Sequence, residues 1–173
     1  MEPHADSGAE LVIQAQLHRG ASAIYHAISE DDVKRIMAHP QTMIASDGRI
    51  TAFEKGFPHP RVHGTFPRVI GHFARDKKVI TISEAIRKMT SLPAYRMGLT
   101  DRGLIKQGYK ADLVLFNEKT IVDKATFEKP HQYPEGIELV MLNGKIALKD
   151  GALSDDRYGV ILRGPAYSGE RSR

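Results

Sequence analysis

The chain has 173 residues, a formal net charge of +4 from 25 basic and 21 acidic side chains, and no cysteine. It is too short for a complete (β/α)8 barrel of roughly 250 residues, and the lack of thiols excludes disulfides, cysteine nucleophiles and thiolate metal sites. The basic residues are scattered among acids, which argues against a nucleic-acid surface. No apolar run reaches the length of about 18 residues that predicts a membrane span.

The N-terminal part of the chain alternates short apolar segments with helix signals. Residues 11–17 and 23–28 have β or helical character. Ser29 is expected to cap a helix with an acidic first turn and one apolar face. That helix should end at His39, because the residue before a proline avoids the α region.

The next segments combine a strand, a loop and two helices. Residues 42–46 read as a buried strand, and residues 49–60, rich in glycine and proline, read as a loop. Residues 65–76 carry apolar side chains at helical spacing. A further helix should open at Ser83 and run to about Thr90, with Thr81 or Ser83 as its cap.

Short strands and turns dominate after Gly103. Strands are predicted at 111–116, 139–142 and 145–148. Asn143-Gly144 separates the last two, and Asn-Gly between apolar runs is a strong hairpin signal. Asp150-Gly151 predicts the next turn. Asp112 would lie inside the first strand, where a carboxylate is expected only if it accepts backbone hydrogen bonds.

Asp47 is the first candidate for chemistry. It directly follows the predicted strand 42–46, between Ser46 and Gly48. Active sites of α/β barrels lie at the C-terminal ends of their strands, so a carboxylate at this point is a candidate catalytic group. Asp-Gly is also a common turn, which is the alternative interpretation.

Several spaced segments carry a family resemblance. They are MIASDG at 43–48, PHPR at 58–61, GTFPR at 64–68, KMTSLPA at 88–94, DRGLIKQGYKADLV at 101–114 and DKATFEKP at 123–130. In this order they resemble the N-acyl-D-amino-acid deacylases, or D-aminoacylases, of the metal-dependent amidohydrolase superfamily. The resemblance extends from about Ser29 to about Asp150, which is most of the chain.

The resemblance implies an α/β fold: the C-terminal part of an amidohydrolase TIM-like barrel, with its last strands and helices, followed by β-sandwich strands. The barrel would be incomplete. The expected boundaries are 1–98 for the barrel segment of the catalytic domain, 99–162 for the sandwich segment and 163–173 for a flexible tail.

The resemblance also implies a mechanism. In the family a zinc-bound water attacks an amide carbonyl, and the aspartate after the eighth strand takes the proton and passes it to the leaving amine. By position Asp47 is that aspartate, and Arg61 resembles the arginine that grips the substrate carboxylate. His59, Ser46 and Gly48 are expected to line the substrate pocket. The family's metal ligands have no counterpart in this sequence, so no metal ligand is assigned.

The expected activity is therefore zinc-dependent hydrolysis of the amide bond of N-acyl-D-amino acids by a complete enzyme, with the chain alone lacking the metal site. One alternative is a dihydroorotase-like cyclic amidase. Another is a non-catalytic fragment or subunit that acts by interaction. The expected partners are a small-molecule substrate and either a second copy or the missing barrel part, with no nucleic acid or membrane, in the cytoplasm.

Overall fold

The computed structural model describes residues 7–20, 23–24, 26–49, 52–164 and 167. Helices come first along the chain and a small sheet follows. The helices are α1 (Gly8–Leu17), α2 (Glu30–Ala38), α3 (Arg61–Arg68), α4 (Ile82–Met89) and α5 (Ser91–Arg96), with a π-helix (Val69–Asp76) that continues α3. The strands are β1 (Leu113–Phe116), β2 (Ile137–Leu142), β3 (Lys145–Lys149) and β4 (Ala152–Leu153).

The first two helices begin at serine caps. Ser7 accepts a hydrogen bond from the Glu10 amide and starts α1, so residues 11–17 are helical. Ser29 accepts from the Asp32 amide and starts α2, which ends before His39 as predicted. The described part of 23–28 has no regular structure, and its remaining residue lies outside the described ranges.

The predicted strand at 42–46 is wrong, because these residues form no strand. A parallel barrel strand is normally covered on both sides by neighbouring strands, and no described strand pairs with this segment. It is held by α4 instead. The Ile44 amide donates to the Lys88 carbonyl (3.0 Å), and the fully buried Lys88 ammonium donates to the carbonyls of His39 and Thr42.

The helix predicted at 65–76 is present but starts earlier, at Arg61, and its second half is a π-helix. The π-helix packs against the chain around Ile121, where a side chain on Gly71 would collide with the Ile121 carbonyl. Arg75 donates to that carbonyl at 2.8 Å. Through these contacts the π-helix holds the segment that connects β1 and β2.

The helix expected after residue 81 is confirmed, with Thr81 as its cap and Ile82 as its first residue. The short helix α5 was not predicted. The buried core joins α2, the π-helix and α4, with the residual exposure of each side chain below one tenth. Its members are Met37, Val69, Phe73, Ala74 and Ala85.

The strands form one antiparallel sheet in the order β1-β2-β3-β4. The predicted hairpin is confirmed: Asn143 and Gly144 both have positive φ, 51° and 78°, as a two-residue turn of this kind requires. Asp112 lies just before β1 and accepts from the Asn143 amide at 2.7 Å and from Arg102 at 2.6 Å. The predicted strand at 111–116 thus starts later, at Leu113, and Asp112 lies outside it. The expected backbone hydrogen bond to its carboxylate is present.

Most of the predicted tail, 163–173, lies outside the described residues. None of the described helices is both long and apolar enough to cross a bilayer.

Candidate active site

Asp47 and Arg61 form an ion pair, with Arg61 Nε 2.8 Å from Asp47 Oδ1. Their side chains are 76% and 45% exposed, so the pair faces an open surface. Arg61 is the first residue of α3 and Asp47 lies in the irregular segment after Ser46. The structure therefore brings together the two residues with the most specific predicted roles.

Ser46 connects the Asp47 segment to α3. Its hydroxyl lies 3.3 Å from the Arg61 carbonyl, 3.2 Å from the Thr65 hydroxyl and 3.2 Å from the Gly48 amide, which donates to it. Thr65 also lies one helical turn after Arg61 and donates towards the same carbonyl at 3.0 Å. Ser46 thus holds neighbouring backbone as well as lying beside the site.

Gly48 permits the close approach of these two segments. A Cβ atom at Gly48 would lie 2.9 Å from the Val62 Cα and 3.2 Å from the Arg61 carbonyl oxygen. Because the first distance is shorter than real Cβ contacts, a side chain here would push the Asp47 segment away from α3. The glycine is required by packing, whatever its contact with a substrate.

His59 lies just before α3, whose N-cap is Pro60. The Nδ1 of His59 accepts a hydrogen bond from the Arg61 amide at 3.0 Å, so the neutral ring carries its proton on Nε2. Partial burial, and then the nearby Arg61 charge, lower the pKa of His59, opposed by Asp47. The ring edge also contacts Phe127, with centroids 5.2 Å apart. The structure therefore places His59 beside Asp47 and Arg61, with Nδ1 acting as a hydrogen-bond acceptor.

An open, mainly apolar groove of about 850 Å³ runs beside this group. Exposed Ile36, Met43 and Phe127 line it, and so does Arg61. Arg68 and Asp123 form an ion pair (3.1 Å) along the groove, with the Asp123 side chain only 10% exposed. The groove therefore combines apolar side chains with charged groups in its lining.

A second cluster was not predicted from the sequence. Phe53 stacks on Tyr133 (centroids 4.6 Å apart), and both contact His63. His131 accepts from the Glu54 amide through Nδ1 and contacts the Gly56 carbonyl through Nε2. Burial, and then the proximity of His131, lower the pKa of His63. These contacts hold the loop between Asp47 and Arg61 in place. In the sequence, the aromatic side chains of this loop were the one sign of such a cluster.

The five predicted site residues thus lie together. Ser46, Asp47 and Gly48 come from one segment, and His59 and Arg61 come from the start of α3. Sequence reasoning missed Thr65, which joins the two segments, and Lys88, which holds the backbone leading to Asp47. Both occur inside the motifs that resemble the family, but a threonine or a lysine in a sequence does not indicate which distant residue it contacts.

Within the described ranges, no group of three histidine, aspartate or glutamate side chains lies close enough together to hold a metal ion. Asp47 has an arginine as its charged neighbour, and His59 uses Nδ1 as a backbone acceptor. The described residues therefore do not fit a zinc site with three protein ligands.

Comparison with known proteins places these residues in a family. A sequence model of the amidohydrolase family matches residues 2–148. The D-aminoacylase of Alcaligenes xylosoxydans xylosoxydans is 46% identical over 142 residues, which are 82% of this chain and 29% of that protein. The N-acyl-D-aspartate deacylase of the same organism is 42% identical over 142 residues, 82% of this chain and 28% of that protein.

Solved structures agree with the sequence comparison. The N-acyl-D-glutamate deacylase of Bordetella bronchiseptica, crystallised with zinc and a phosphonate mimic of the tetrahedral intermediate, superposes with a TM-score of 0.74 at 38% identity. The match covers 81% of this chain and 29% of that one. The chain therefore spans less than a third of the length of these relatives, and by its sequence and its fold it belongs to the amidohydrolase family.

Proposed function

We propose that this chain supplies the proton-transfer carboxylate and the carboxylate-binding arginine of a deacylase that hydrolyses the amide bond of N-acyl-D-amino acids. The observation that carries the proposal is the Asp47–Arg61 pair at 2.8 Å, inside a segment 46% identical to a D-aminoacylase. A general base and an anion-binding group side by side suit a substrate whose scissile amide lies next to its own carboxylate.

Asp47 is proposed to accept the proton of the attacking water and to pass it to the leaving nitrogen. The oxygen–carbon bond forms as the water loses its proton to Asp47. The carbon–nitrogen bond then breaks, and the same proton reaches the amine. One carboxylate can serve in both directions if it stays within hydrogen-bond reach of both atoms. The high exposure of Asp47 leaves it accessible to such a substrate.

Arg61 is proposed to bind the substrate carboxylate. It meets Asp47 through Nε, and a guanidinium has two further nitrogens that can bind a second carboxylate in a bidentate manner. The same side chain can thus orient Asp47 and the substrate together.

Zinc is proposed to be part of the complete deacylase, as in the zinc complex of the Bordetella bronchiseptica enzyme. The described residues do not form its site, so its ligands are assigned to the part of the relatives' length that this chain does not span. On this basis the chain hydrolyses substrate only when joined to that part.

We further propose that residues 1–98 are the end of the catalytic barrel and that residues 99–162 belong to a β-sandwich. The open groove supports this arrangement because some of its apolar side chains, among them Ile36 and Met43, are half exposed. Exposed apolar patches of this kind mark interaction surfaces. The natural partner is the rest of the barrel, and a second copy of the chain would cover the groove when that part is absent. The proposed location is the cytoplasm, whose reducing conditions suit a chain without cysteine.

The test is complementation. The chain is co-expressed with a D-aminoacylase of Alcaligenes xylosoxydans xylosoxydans from which the matching segment has been removed, and the purified material is assayed for zinc and for hydrolysis of an N-acetyl-D-amino acid. We expect a stable complex that contains zinc and hydrolyses the D-substrate, whereas the chain alone binds zinc no better than micromolar and is inactive. Stoichiometric zinc and turnover by the isolated chain would contradict the proposal. So would a zinc-loaded complex without D-amidase activity.

A further inference from the structure

The hydroxyl of Thr65 is part of a bridge that no single local rule explains. A threonine in a helix often donates to the carbonyl one turn earlier, and Thr65 does so to Arg61 (3.0 Å). Its oxygen also lies 3.2 Å from the Ser46 hydroxyl, 19 positions earlier in the chain. The second contact reaches out of the helix to the residue just before Asp47.

The donors and acceptors of this bridge follow from its contacts, with two acceptors available to Thr65. The Gly48 amide donates to Ser46 Oγ, so that oxygen acts as an acceptor there. Ser46 then uses its own proton on the Arg61 carbonyl, and Thr65 donates to Ser46 Oγ or to the same carbonyl. In either arrangement two hydroxyls, one amide and one carbonyl link residues 46–48 to the first turn of α3.

This link matters because the ion pair alone is too weak to fix its own geometry. Both side chains of the pair are exposed, 76% and 45%, and exposed ion pairs contribute little in water. Residues 42–46 also have no strand neighbours among the described strands. The relative position of Asp47 and Arg61 therefore depends on backbone anchors, and Ser46 with Thr65 provides a hydrogen-bonded anchor that joins both segments directly.

We propose that Thr65 is a positioning residue: through Ser46 it holds Asp47 at the correct distance from Arg61. The proposal rests on the proposed deacylase function only for its kinetic consequence. The structural part of the proposal, that the Thr65 hydroxyl sets the Asp47–Arg61 geometry, can be tested on this chain without any enzymatic activity.

The kinetic test uses the complemented deacylase with Thr65→Val, which removes the hydroxyl and keeps the shape, and Thr65→Ser, which keeps the hydroxyl. Loss of one hydrogen bond of this kind predicts a decrease of about fivefold in kcat/KM for Thr65→Val, and Thr65→Ser should recover to within about twofold. Thr90→Val is the matched control, because Thr90 donates to the Ile86 carbonyl one turn earlier. It should leave kcat/KM unchanged.

Ser46→Ala tests the other end of the bridge. Ser46→Ala removes the Thr65 contact together with those to the Arg61 carbonyl and the Gly48 amide, so it should lower kcat/KM at least as much as Thr65→Val. Because both hydroxyls belong to one link, the double variant Ser46→Ala/Thr65→Val should be no more impaired than Ser46→Ala alone. The proposal is overturned if Thr65→Val behaves as wild type, if Thr65→Ser is as impaired as Thr65→Val, or if the two effects multiply.

A spectroscopic readout on the chain itself separates this inference from the proposed function. In the wild-type chain the Arg61 Nε–H should give a nuclear magnetic resonance signal displaced from that of free arginine by its contact with Asp47. Thr65→Val should move it towards the free position, and Thr65→Ser should not. An unmoved signal in Thr65→Val would refute the positioning role even in an active deacylase. A moved signal with an inactive complex would refute only the deacylase proposal.

Discussion

Replacing Lys88 with methionine should destabilise the chain and loosen the segment that leads to Asp47. Lys88 is fully buried, and its ammonium donates to the carbonyls of His39 and Thr42 and lies 3.6 Å from Glu84. Methionine fills a similar volume with no donor, so the change removes the hydrogen bonds without opening a large cavity.

The magnitude follows from the two hydrogen bonds that the ammonium donates. Hydrogen bonds from a charged donor contribute about 1.5–3 kcal/mol each, and methionine leaves both carbonyls without this donor. Removing the ammonium also removes the cost of burying a charge, which offsets part of the destabilisation. Glu84 keeps its contact with Arg87 and is not left unpaired. We therefore expect Lys88→Met to lower the free energy of unfolding by about 2–4 kcal/mol.

Urea denaturation followed by circular dichroism measures this change, at one protein concentration because association would shift the midpoint. With a denaturant slope of about 2 kcal/mol per molar, the midpoint should fall by about 1–2 M. Lys34→Met is the control, since Lys34 makes only exposed ion pairs on α2 and its replacement should leave the midpoint nearly unchanged. Equal midpoints for Lys88→Met and Lys34→Met would refute the reasoning.

Three further outcomes are expected. In the complemented deacylase, Arg61→Ala should raise KM roughly tenfold or more for N-acyl-D-amino acids but much less for their amides, because charged hydrogen bonds contribute about 1.5–3 kcal/mol; equal penalties would remove Arg61 from carboxylate binding. Folding lowers the pKa of His59, so the unfolded chain takes up a proton at this residue more readily than the folded chain. The contribution of His59 to the free energy of unfolding is therefore complete above a pH of about 6.5 and is lost as the pH falls below it. His59→Asn, which keeps a side-chain acceptor, should flatten that part of the stability–pH curve, leaving the contribution of His63; an unchanged curve would contradict the assignment. The isolated chain should self-associate in light scattering, and Ile36→Ser in the groove should weaken association; a monodisperse wild-type monomer would contradict the exposed-groove interpretation.

Local rules predicted the parts of the fold that depend on local chemistry. Ser29 and Thr81 cap helices where a hydroxyl precedes an acidic first turn. Asn143-Gly144 forms the hairpin turn because both residues tolerate positive φ. Asp112 has the backbone donor that its position required. In each case the determining partners lie within a few residues or follow from the need to satisfy a polar group.

Features that depend on distant partners could not be predicted in this way. Residues 42–46 have the composition of a buried strand, but strand structure needs neighbours, and α4 replaces them through Lys88. The π-helix packs closely against Ile121 through Gly71, a distant contact that no pattern within residues 65–76 encodes.

The candidate site shows the same division. The motifs identified Asp47 and Arg61 as related residues, but the 2.8 Å contact across the intervening loop depends on how that loop folds. His131, distant in sequence, holds this loop through its contacts with Phe53 and the Glu54 amide. Ser46 and Gly48 were expected beside a substrate, and the structure adds a role for both in holding α3 against the Asp47 segment.

The most direct test of the central claim is Asp47→Asn in the complemented deacylase, with zinc content and single-turnover rate measured on the same sample. Asparagine keeps the shape of the side chain and cannot accept the proton. If Asp47 transfers the proton, zinc should stay largely bound while the chemical rate falls by at least about a hundredfold, the usual scale for a general acid–base group. A zinc-loaded variant that turns over at close to the wild-type rate would show that this chain does not provide the catalytic carboxylate.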